Sequence, residues 1–560
     1  MSASLLARHL ERHGLELVSD AHKHRKVVAQ RVLKKGSTVI TSRSLCNPVI
    51  FPTHRSQHCE TCFRTKISKT RPNATALELE RCSVCKKRYY CSRECFTVAW
   101  KGWHRWICAD KEREDLDYEM LKMVVMSIER LRNGTYKDEA EDEQQQRDGS
   151  SLSASASASS TPGNEKGESL ALTAYVFSTL MGHEAVSDPG MLANYTEIAT
   201  RIREQLQQSK FAFKSESSRG EPPSVTELVQ YLCRFHCNNF SIHDAELFTM
   251  AEGTFPIGAL FNHSCRPNAI VMYEGKIQVV RALENIAMGQ EVCTSYVDNG
   301  VQRQERRQLL KEKYYFDCHC PRCCEDEDSQ EVRASTDSAD GQTLDRTGFR
   351  VLDDLIEGSQ DGPEGSKVDG EWLTKQFETI ILPGARSLQV AGPPLQPPSV
   401  ITRASFTSYI MHSLVPLIQS GASEQAYTER LFAIYKTLQQ TPHSPPKPFT
   451  TTVMTNATSF FMTSLEHQSW ALASKIGTFI LAIYLMIYPR HHPLVGLHCF
   501  TLAKSLWNDE KGGLTSVRLS HEILKLALNI LRVSHGSIEN GALVKEVEAF
   551  IKTVETELVS

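Results

Sequence analysis

At 560 residues the chain exceeds what a single hydrophobic core organises, so two or three domains are expected. Lys+Arg 63 against Asp+Glu 66 leaves a formal charge of −3, which argues against a whole-protein electrostatic grip on nucleic acid. An apolar share of 41% is ordinary for a soluble protein, and residues 1–14 carry Arg8, Glu11 and Arg12 where a secretory signal needs an apolar stretch.

Short strands are predicted at 15–18, 27–29 and 38–40, the last after a turn at Lys35-Gly36. A cluster of paired ligands follows: Cys59-x2-Cys62, Cys82-x2-Cys85, Cys91-x3-Cys95 and His104-x3-Cys108. The chain holds 17 cysteines, and clustering at such spacings in an intracellular protein points to metal rather than disulfides. Four pairs supply enough ligands for two closed tetrahedral zinc sites with no position left for water, hence structural sites. A RING arrangement would place histidine mid-module and end on Cys-x2-Cys, whereas here the final pair is His104 and Cys108.

Next comes a helical pattern with Leu116, Met120, Leu121, Val124, Ile128 and Leu131 on one face. Residues 138–168 are rich in Gln, Ser, Ala and Gly and read as a disordered insertion. Ser224 to Glu227 match a capping box that opens another helix. From Asn238 to Cys324 short strands alternate with turns, and a polar linker occupies 325–345 with a Pro-rich stretch at 392–399. Beyond lie amphipathic helices, the last through Ile523, Leu526, Ala527, Ile530 and Leu531, so the C-terminal third reads as all-helical. The apolar run from Ile476 to Tyr488 is too short to span a bilayer comfortably and is expected to be a core helix. Membrane association is not expected.

A second constellation begins at Gly258 and includes Asn262-His263-Ser264-Cys265 and Asn268. Gly289, Glu291 and Tyr296 follow, then Phe316-Asp317-Cys318-His319-Cys320-Pro321-Arg322-Cys323. In this order the pieces resemble a SET domain with its post-SET zinc site. With Tyr90-Cys91-Ser92 and the tryptophans before His104 resembling a MYND finger, nearly the whole chain outside the low-complexity insertions resembles the SET-and-MYND (SMYD) family of protein-lysine methyltransferases.

The resemblance implies an α+β fold: a β-rich SET core with an inserted MYND finger, a post-SET zinc site and a tetratricopeptide-like all-α C-terminal domain. The expected boundaries are 1–58 and 236–317 for the two parts of the SET core, 59–108 for the finger and 109–235 for a helical insertion. The post-SET motif takes 318–324, and the helical domain 346–560. The implied cofactors are S-adenosylmethionine and three zinc ions. One ion falls to Cys59, Cys62, Cys91 and Cys95, a second to Cys82, Cys85, His104 and Cys108, and the third to Cys265, Cys318, Cys320 and Cys323. Tyr296 is implied as the catalytic hydroxyl, Asn262, His263, Asn238, Phe316 and Arg25 as cofactor contacts, and Tyr314 as a wall of the lysine channel.

The implied partner is a protein with an exposed lysine, with Pro-rich peptides at the finger and nucleic acid not a main partner. The working unit is expected to be an intracellular monomer of cytoplasm or nucleus. Lys86, Lys87, Arg88 and Arg93 read as a solvated face, and Cys46, Cys233, Cys237, Cys293, Cys324 and Cys499 as bystanders. One departure stands out. The family's first strand turns through a Gly-x-Gly loop near the cofactor, and here His24 and Lys26 occupy the glycine positions within His22 to Ala29. Glycine permits positive φ and close backbone approach, so the alternative is a scaffold that binds partners without using cofactor. Lys26 could instead pair with the cofactor's carboxylate.

Overall fold

The computed structural model describes residues 2–21, 23–65, 78–108, 115–132, 170–208, 221–301, 303–320, 322–323, 451–489, 491–536 and 542–559. The expected disordered insertion, the linker, the Pro-rich stretch, residues 346–450 of the helical domain, His22 and Cys324 lie outside them.

Helix α1 (Ser2–Arg12) opens the chain and buries Leu6, His9 and Leu10, whose i, i+3 and i+4 spacing makes one face apolar. It leads into β1 (Leu15–Asp20), which pairs antiparallel with β2 (His24–Ala29) from Leu15↔Ala29 to Asp20↔His24. Strand β3 (Thr38–Ser42) joins a sheet with two later strands, and β4 (Val49–Ile50) another. The expected strands are therefore present and each runs longer than its apolar centre.

The segment from Cys59 to Cys108 holds a hairpin, β5 (Glu80–Arg81) and β6 (Tyr89–Tyr90), and helix α2 (Arg93–Ala99), whose first turn is capped by Ser92 Oγ accepting from Cys95 N at 3.2 Å. A π-turn at Trp100–His104 then swings His104 inward. The rings of Tyr90, Phe96, Trp100 and Trp103 surround His104 with centroids 5.7, 6.2, 5.8 and 5.6 Å away. These aromatics form most of the small apolar centre this segment has.

Helix α3 (Leu116–Arg132) joins that segment to the core. Arg88 Nη1 donates to Glu60 Oε2 at 2.9 Å, Arg55 Nη2 to Glu119 Oε2 at 3.0 Å, and Arg88 Nη2 also to Glu119. All four side chains are buried. Two cations and two anions thus balance where residues of the cysteine-rich segment meet Arg55 and α3.

Helices α4 (Leu170–Thr179), α5 (Pro189–Gln208) and α6 (Val225–Asn238) complete the helical face, α6 opening on the capping box of Ser224 and Glu227. Phe177 and Phe235, packed at 5.7 Å, and Met120, Leu121 and Val124 of α3 fill the core beneath β2 and β3. Strands β7 (Asn239–His243) and β8 (Thr249–Thr254) pair with β4 in the order β4-β8-β7. Strand β9 (Asn262–His263) follows, then the hairpin of β10 (Ala269–Glu274) and β11 (Ile277–Ala282), which adds to β3 in the order β10-β11-β3. Strand β12 (Cys293–Thr294) runs parallel to β9 and brings the second constellation together, and α7 (Arg303–Tyr314) leads to the last cysteines.

Five helices make up the described C-terminal part: α8 (Thr451–Glu466), α9 (Trp470–Ile487), α10 (Pro493–Trp507), α11 (Gly513–Ser534) and α12 (Ala542–Val559). Each packs on the next around Leu481, Val495, Leu502, Leu524, Ala527 and Val547. The apolar run from Ile476 lies within α9 as expected up to Ile487, with Tyr488 its extended C-cap, and no described helix is long and apolar enough to cross a membrane.

This unit is anchored to the β-rich core by Arg281 of β11. Its guanidinium donates to the carbonyls of Val533 (3.2 Å) and Gly36 and to Thr38 Oγ1 (3.3 Å). Gly536 closes α11 at φ 55°, and a Cβ there would collide with that guanidinium. His535 beside it makes a 2.8 Å hydrogen bond to the Ala245 carbonyl.

Burial, with His243 and Arg281 close by, holds His535 at a pKa of about 4, and burial also holds His498 at about 4. Unfolding restores the ordinary 6.5, so the unfolded chain takes protons first. The stability these groups contribute is complete above pH 6.5 and is lost as pH falls toward 4. The loss expected for His535 alone is on the order of 3 kcal/mol. Denaturant melts between pH 7 and 4.5 should show the C-terminal helices loosening early, and His535→Gln should flatten that slope.

Candidate active site and metal clusters

Three groups of side chains bring their ligand atoms within 4.8 Å of one another: Cys59, Cys62, Cys91 and Cys95; Cys82, Cys85, His104 and Cys108; and Cys265, Cys318, Cys320 and Cys323. Sulfur pairs lie 3.5 Å (Cys62–Cys91), 3.5 Å (Cys91–Cys95), 3.8 Å (Cys82–Cys108) and 3.4 Å (Cys265–Cys323) apart. A disulfide needs about 2.05 Å, whereas Zn–S bonds of about 2.3 Å at tetrahedral angles set an S···S edge near 3.8 Å. Burial, with Arg88 nearby, holds His104 at about 4, so its ring is the neutral donor a metal requires. The donor sets and spacings fit three closed metal sites.

Between the third cluster and the β1–β2 hairpin lies a polar and aromatic centre. Burial holds His263 at a pKa of about 4, so the ring is neutral. Its Nδ1 accepts the Tyr296 backbone N–H at 2.9 Å, which places the ring proton on Nε2, 3.2 Å from Cys265 Sγ. The Tyr296 hydroxyl donates to the Phe261 carbonyl at 2.6 Å. Burial raises the Tyr296 phenol well above its usual value, so that hydroxyl keeps its proton. The Tyr314 ring lies 4.8 Å from that of Tyr296, and Phe316 lies 6.4 Å from Tyr296 and 6.1 Å from His263. Tyr296, His263, Tyr314 and Phe316 are thus brought together.

Asn262 donates its amide to Glu291 Oε1 at 2.9 Å and to the Arg25 carbonyl at 2.7 Å, tying β9 to β2. Glu291 Oε2 also takes Lys23 Nζ at 2.6 Å. Arg25 itself extends toward the Thr179 carbonyl, 3.5 Å away. Asn238 uses its amide N–H groups on the carbonyls of Arg234 (2.8 Å) and Met181 (3.0 Å), holding the loop after α4 against the end of α6.

The altered hairpin behaves differently at its two positions. His24 has φ 62°, the left-handed backbone that favours glycine, while Lys26 lies in the extended β2 strand with Nζ 3.1 Å from Asp20. Only the first position therefore requires what glycine supplies, and histidine is among the residues that tolerate it. Lys26 is engaged by its own hairpin. Accordingly His24→Gly should stabilise the fold by about 1 kcal/mol, and Lys26→Gly should destabilise it by a similar amount. Thermal melts of the two single variants test this split.

Sequence reading missed four contributors. His183, with φ 56°, stacks on Tyr315 at 5.1 Å beside His24, and nothing in its spacing marks it. Glu291 was read within the second constellation but given no role of its own. Arg306 of α7 is fully buried against the third cluster. Tyr488, at the end of α9, donates to Asp298 Oδ1 at 2.9 Å, two residues beyond Tyr296, where a Cβ on Gly300 would stand 2.6 Å from its hydroxyl.

Comparison with known proteins agrees with this layout. The SET domain family matches residues 24–297, a span that encloses the first two clusters and ends just beyond Tyr296. The chain is 24% identical to the histone-lysine N-methyltransferase ASHR1 of Arabidopsis thaliana over 99% of its own length and 98% of that protein. It is 27% identical to the N-lysine methyltransferase SMYD2 of Rattus norvegicus over 57% of its length, a match spanning 63% of that relative. Human SMYD2 is 25% identical over 61% of this chain and 68% of that protein. Residues 24–297 thus carry a SET domain, and the chain as a whole is similar to proteins named as lysine methyltransferases, with three clusters of cysteine and histidine ligands in and beside that domain.

Proposed function

We propose that the protein transfers a methyl group from S-adenosylmethionine to the ε-amino group of lysine in other proteins. The observation that carries this is the Tyr296 hydroxyl, protonated and fixed 2.6 Å from the Phe261 carbonyl, with Tyr314 and Phe316 packed around it. When bound, the cofactor supplies an electrophilic methyl on a sulfonium. What the chain must do is present a neutral amine to it in line. At pH 7, deprotonating an ordinary lysine of pKa 10.4 costs about 4–5 kcal/mol. Aromatic walls such as Tyr314 and Tyr296 lower that cost by disfavouring the ammonium, and the fixed hydroxyl and carbonyl oxygens orient the amine.

In this reading Asn262, His263, Asn238, Arg25 and Phe316 contact the cofactor, and Tyr314 lines the lysine channel. Zinc is the metal of the three clusters, because closed thiolate and imidazole sets of four suit it. The first two clusters form a MYND finger that accepts Pro-rich peptides, and the C-terminal helices are tetratricopeptide-like. The working unit is an intracellular monomer, of cytoplasm or nucleus. The competing scaffold reading rested on His24 and Lys26, and the extended strand at Lys26, where glycine is not required, removes half of its basis.

Methyl-labelled cofactor incubated with the metal-loaded protein, core histones and a mixed protein extract tests the reading. Label mapped by mass spectrometry to lysine side chains is the expected result; label confined to other residues would refute it.

A further inference from the structure

Arg306 is the largest side chain with no exposed surface among the described residues, and burying a guanidinium requires nearby negative charge. Its Nε donates to Cys265 Sγ at 3.3 Å, its Nη2 reaches Cys323 Sγ at 3.9 Å, and its Nη1 donates to the Val301 carbonyl at 2.7 Å. Two cysteines of the third cluster therefore meet one cation. Four thiolates around a divalent ion carry a net charge of −2, so a buried cation beside them is compensated and in turn relieves them.

The same sulfur holds both ends of the segment that follows the catalytic hydroxyl. At Tyr296 the link runs through His263, which accepts the Tyr296 N–H on one nitrogen and faces Cys265 Sγ with the other. At Val301 it runs through Arg306, which spans from the Val301 carbonyl to Cys265 Sγ. Just before Tyr296, the Ser295 hydroxyl lies 2.7 Å from Val297 O and 2.9 Å from Asn299 Oδ1 and donates its one hydrogen to either, which closes the loop on itself.

We propose that Arg306 is a positioning residue that joins the third metal cluster to the Tyr296–Val301 loop, so that metal held there orders the active site. The inference rests on the methyltransferase reading for its effect on turnover, but not for its effect on metal or loop order. The clusters of the cysteine-rich segment share no such link with this loop among the described residues. Loss of metal from Cys265, Cys318, Cys320 and Cys323 would withdraw the cluster's negative charge from beside Arg306 and loosen the loop at both ends. Loss from the other two would not.

The test uses the full metal-loaded chain and two variants, Arg306→Met and Arg306→Lys, with zinc release to a chelator, hydrogen exchange of residues 295–301, and kcat and KM as readouts. Arg306→Met is expected to release one of three zinc equivalents at least about tenfold faster, as outer-shell partners of metal ligands commonly do. Loop exchange should speed up, and kcat should fall about tenfold with the cofactor KM nearly unchanged. Arg306→Lys keeps the charge but cannot fork, so it should restore metal retention without restoring loop protection. If Arg306→Met fails to fold, the wild type decides: partial chelation should accelerate loop exchange in step with loss of a single equivalent. Metal release and loop exchange that match wild type in both variants, or chelation that leaves the loop protected, would overturn the proposal. If metal and loop respond while no lysine is methylated under any condition, the joint stands and the methyltransferase reading fails.

Discussion

Tyr296→Phe should lower kcat about a hundredfold or more while leaving cofactor binding within a fewfold of wild type. The reasoning starts from the hydroxyl itself. It sits on a half-buried ring, it stays protonated, and it donates to the Phe261 carbonyl at 2.6 Å. Removing it deletes one oxygen at the point where the amine must be aligned and leaves the Phe261 carbonyl without its donor. Displacement of fixed polar groups on this scale costs on the order of 10²-fold in rate. The ring contacts with Tyr314 and Phe316 are retained by phenylalanine, so the apolar wall and the fold should persist. Steady-state kinetics with a methylated-lysine readout, together with a thermal melt, separates the two effects. A variant with wild-type kcat would remove Tyr296 from the chemistry.

The second large effect concerns stability. Glu119→Ala should destabilise the protein by about 3–5 kcal/mol, because it strips a buried carboxylate from two buried guanidiniums. Arg55 and Arg88 both donate to Glu119 Oε2, which leaves Glu60 as the remaining carboxylate of the four-charge junction. Because Glu60 and Arg88 lie in the cysteine-rich segment and Glu119 in α3, the loss should loosen that segment from the core before the core unfolds. Limited proteolysis between residues 59 and 108 should therefore accelerate more than the global melt predicts. Glu119→Gln, which keeps the shape and accepts one donor, should fall between. Exposed pairs such as Arg201–Glu197, at 2.7 Å on α5, should by contrast contribute less than 1 kcal/mol.

What could be read in the sequence follows from the kind of signal each feature leaves. Strands β1, β2 and β3 carry their own apolar runs, and the Ser224–Glu227 capping box is a local contract between two residues, so both were legible. The ligand groupings follow short spacings read through the family resemblance, and the same groups of four converge in the structure. Two-residue strands such as β9 and β12 were not legible, because they exist only through their pairing with each other. Helix α1 was passed over, its first residues having been weighed only as a possible signal. The junction of Arg55, Glu60, Arg88 and Glu119 draws on three separate stretches of chain, and no local pattern announces it. The different fates of His24 and Lys26 were hidden for another reason. Sequence shows that glycine is missing, but only the backbone shows at which position it was needed.

The most direct measurement is calorimetric titration of S-adenosylmethionine into the metal-loaded full chain. The account predicts one cofactor bound per chain with a dissociation constant on the order of micromolar, about −8 kcal/mol. It also predicts that His24→Gly binds about as tightly as wild type, because the left-handed backbone there is already adopted in the folded chain without cofactor. Absence of binding in both proteins, with all three metal equivalents in place, would contradict it.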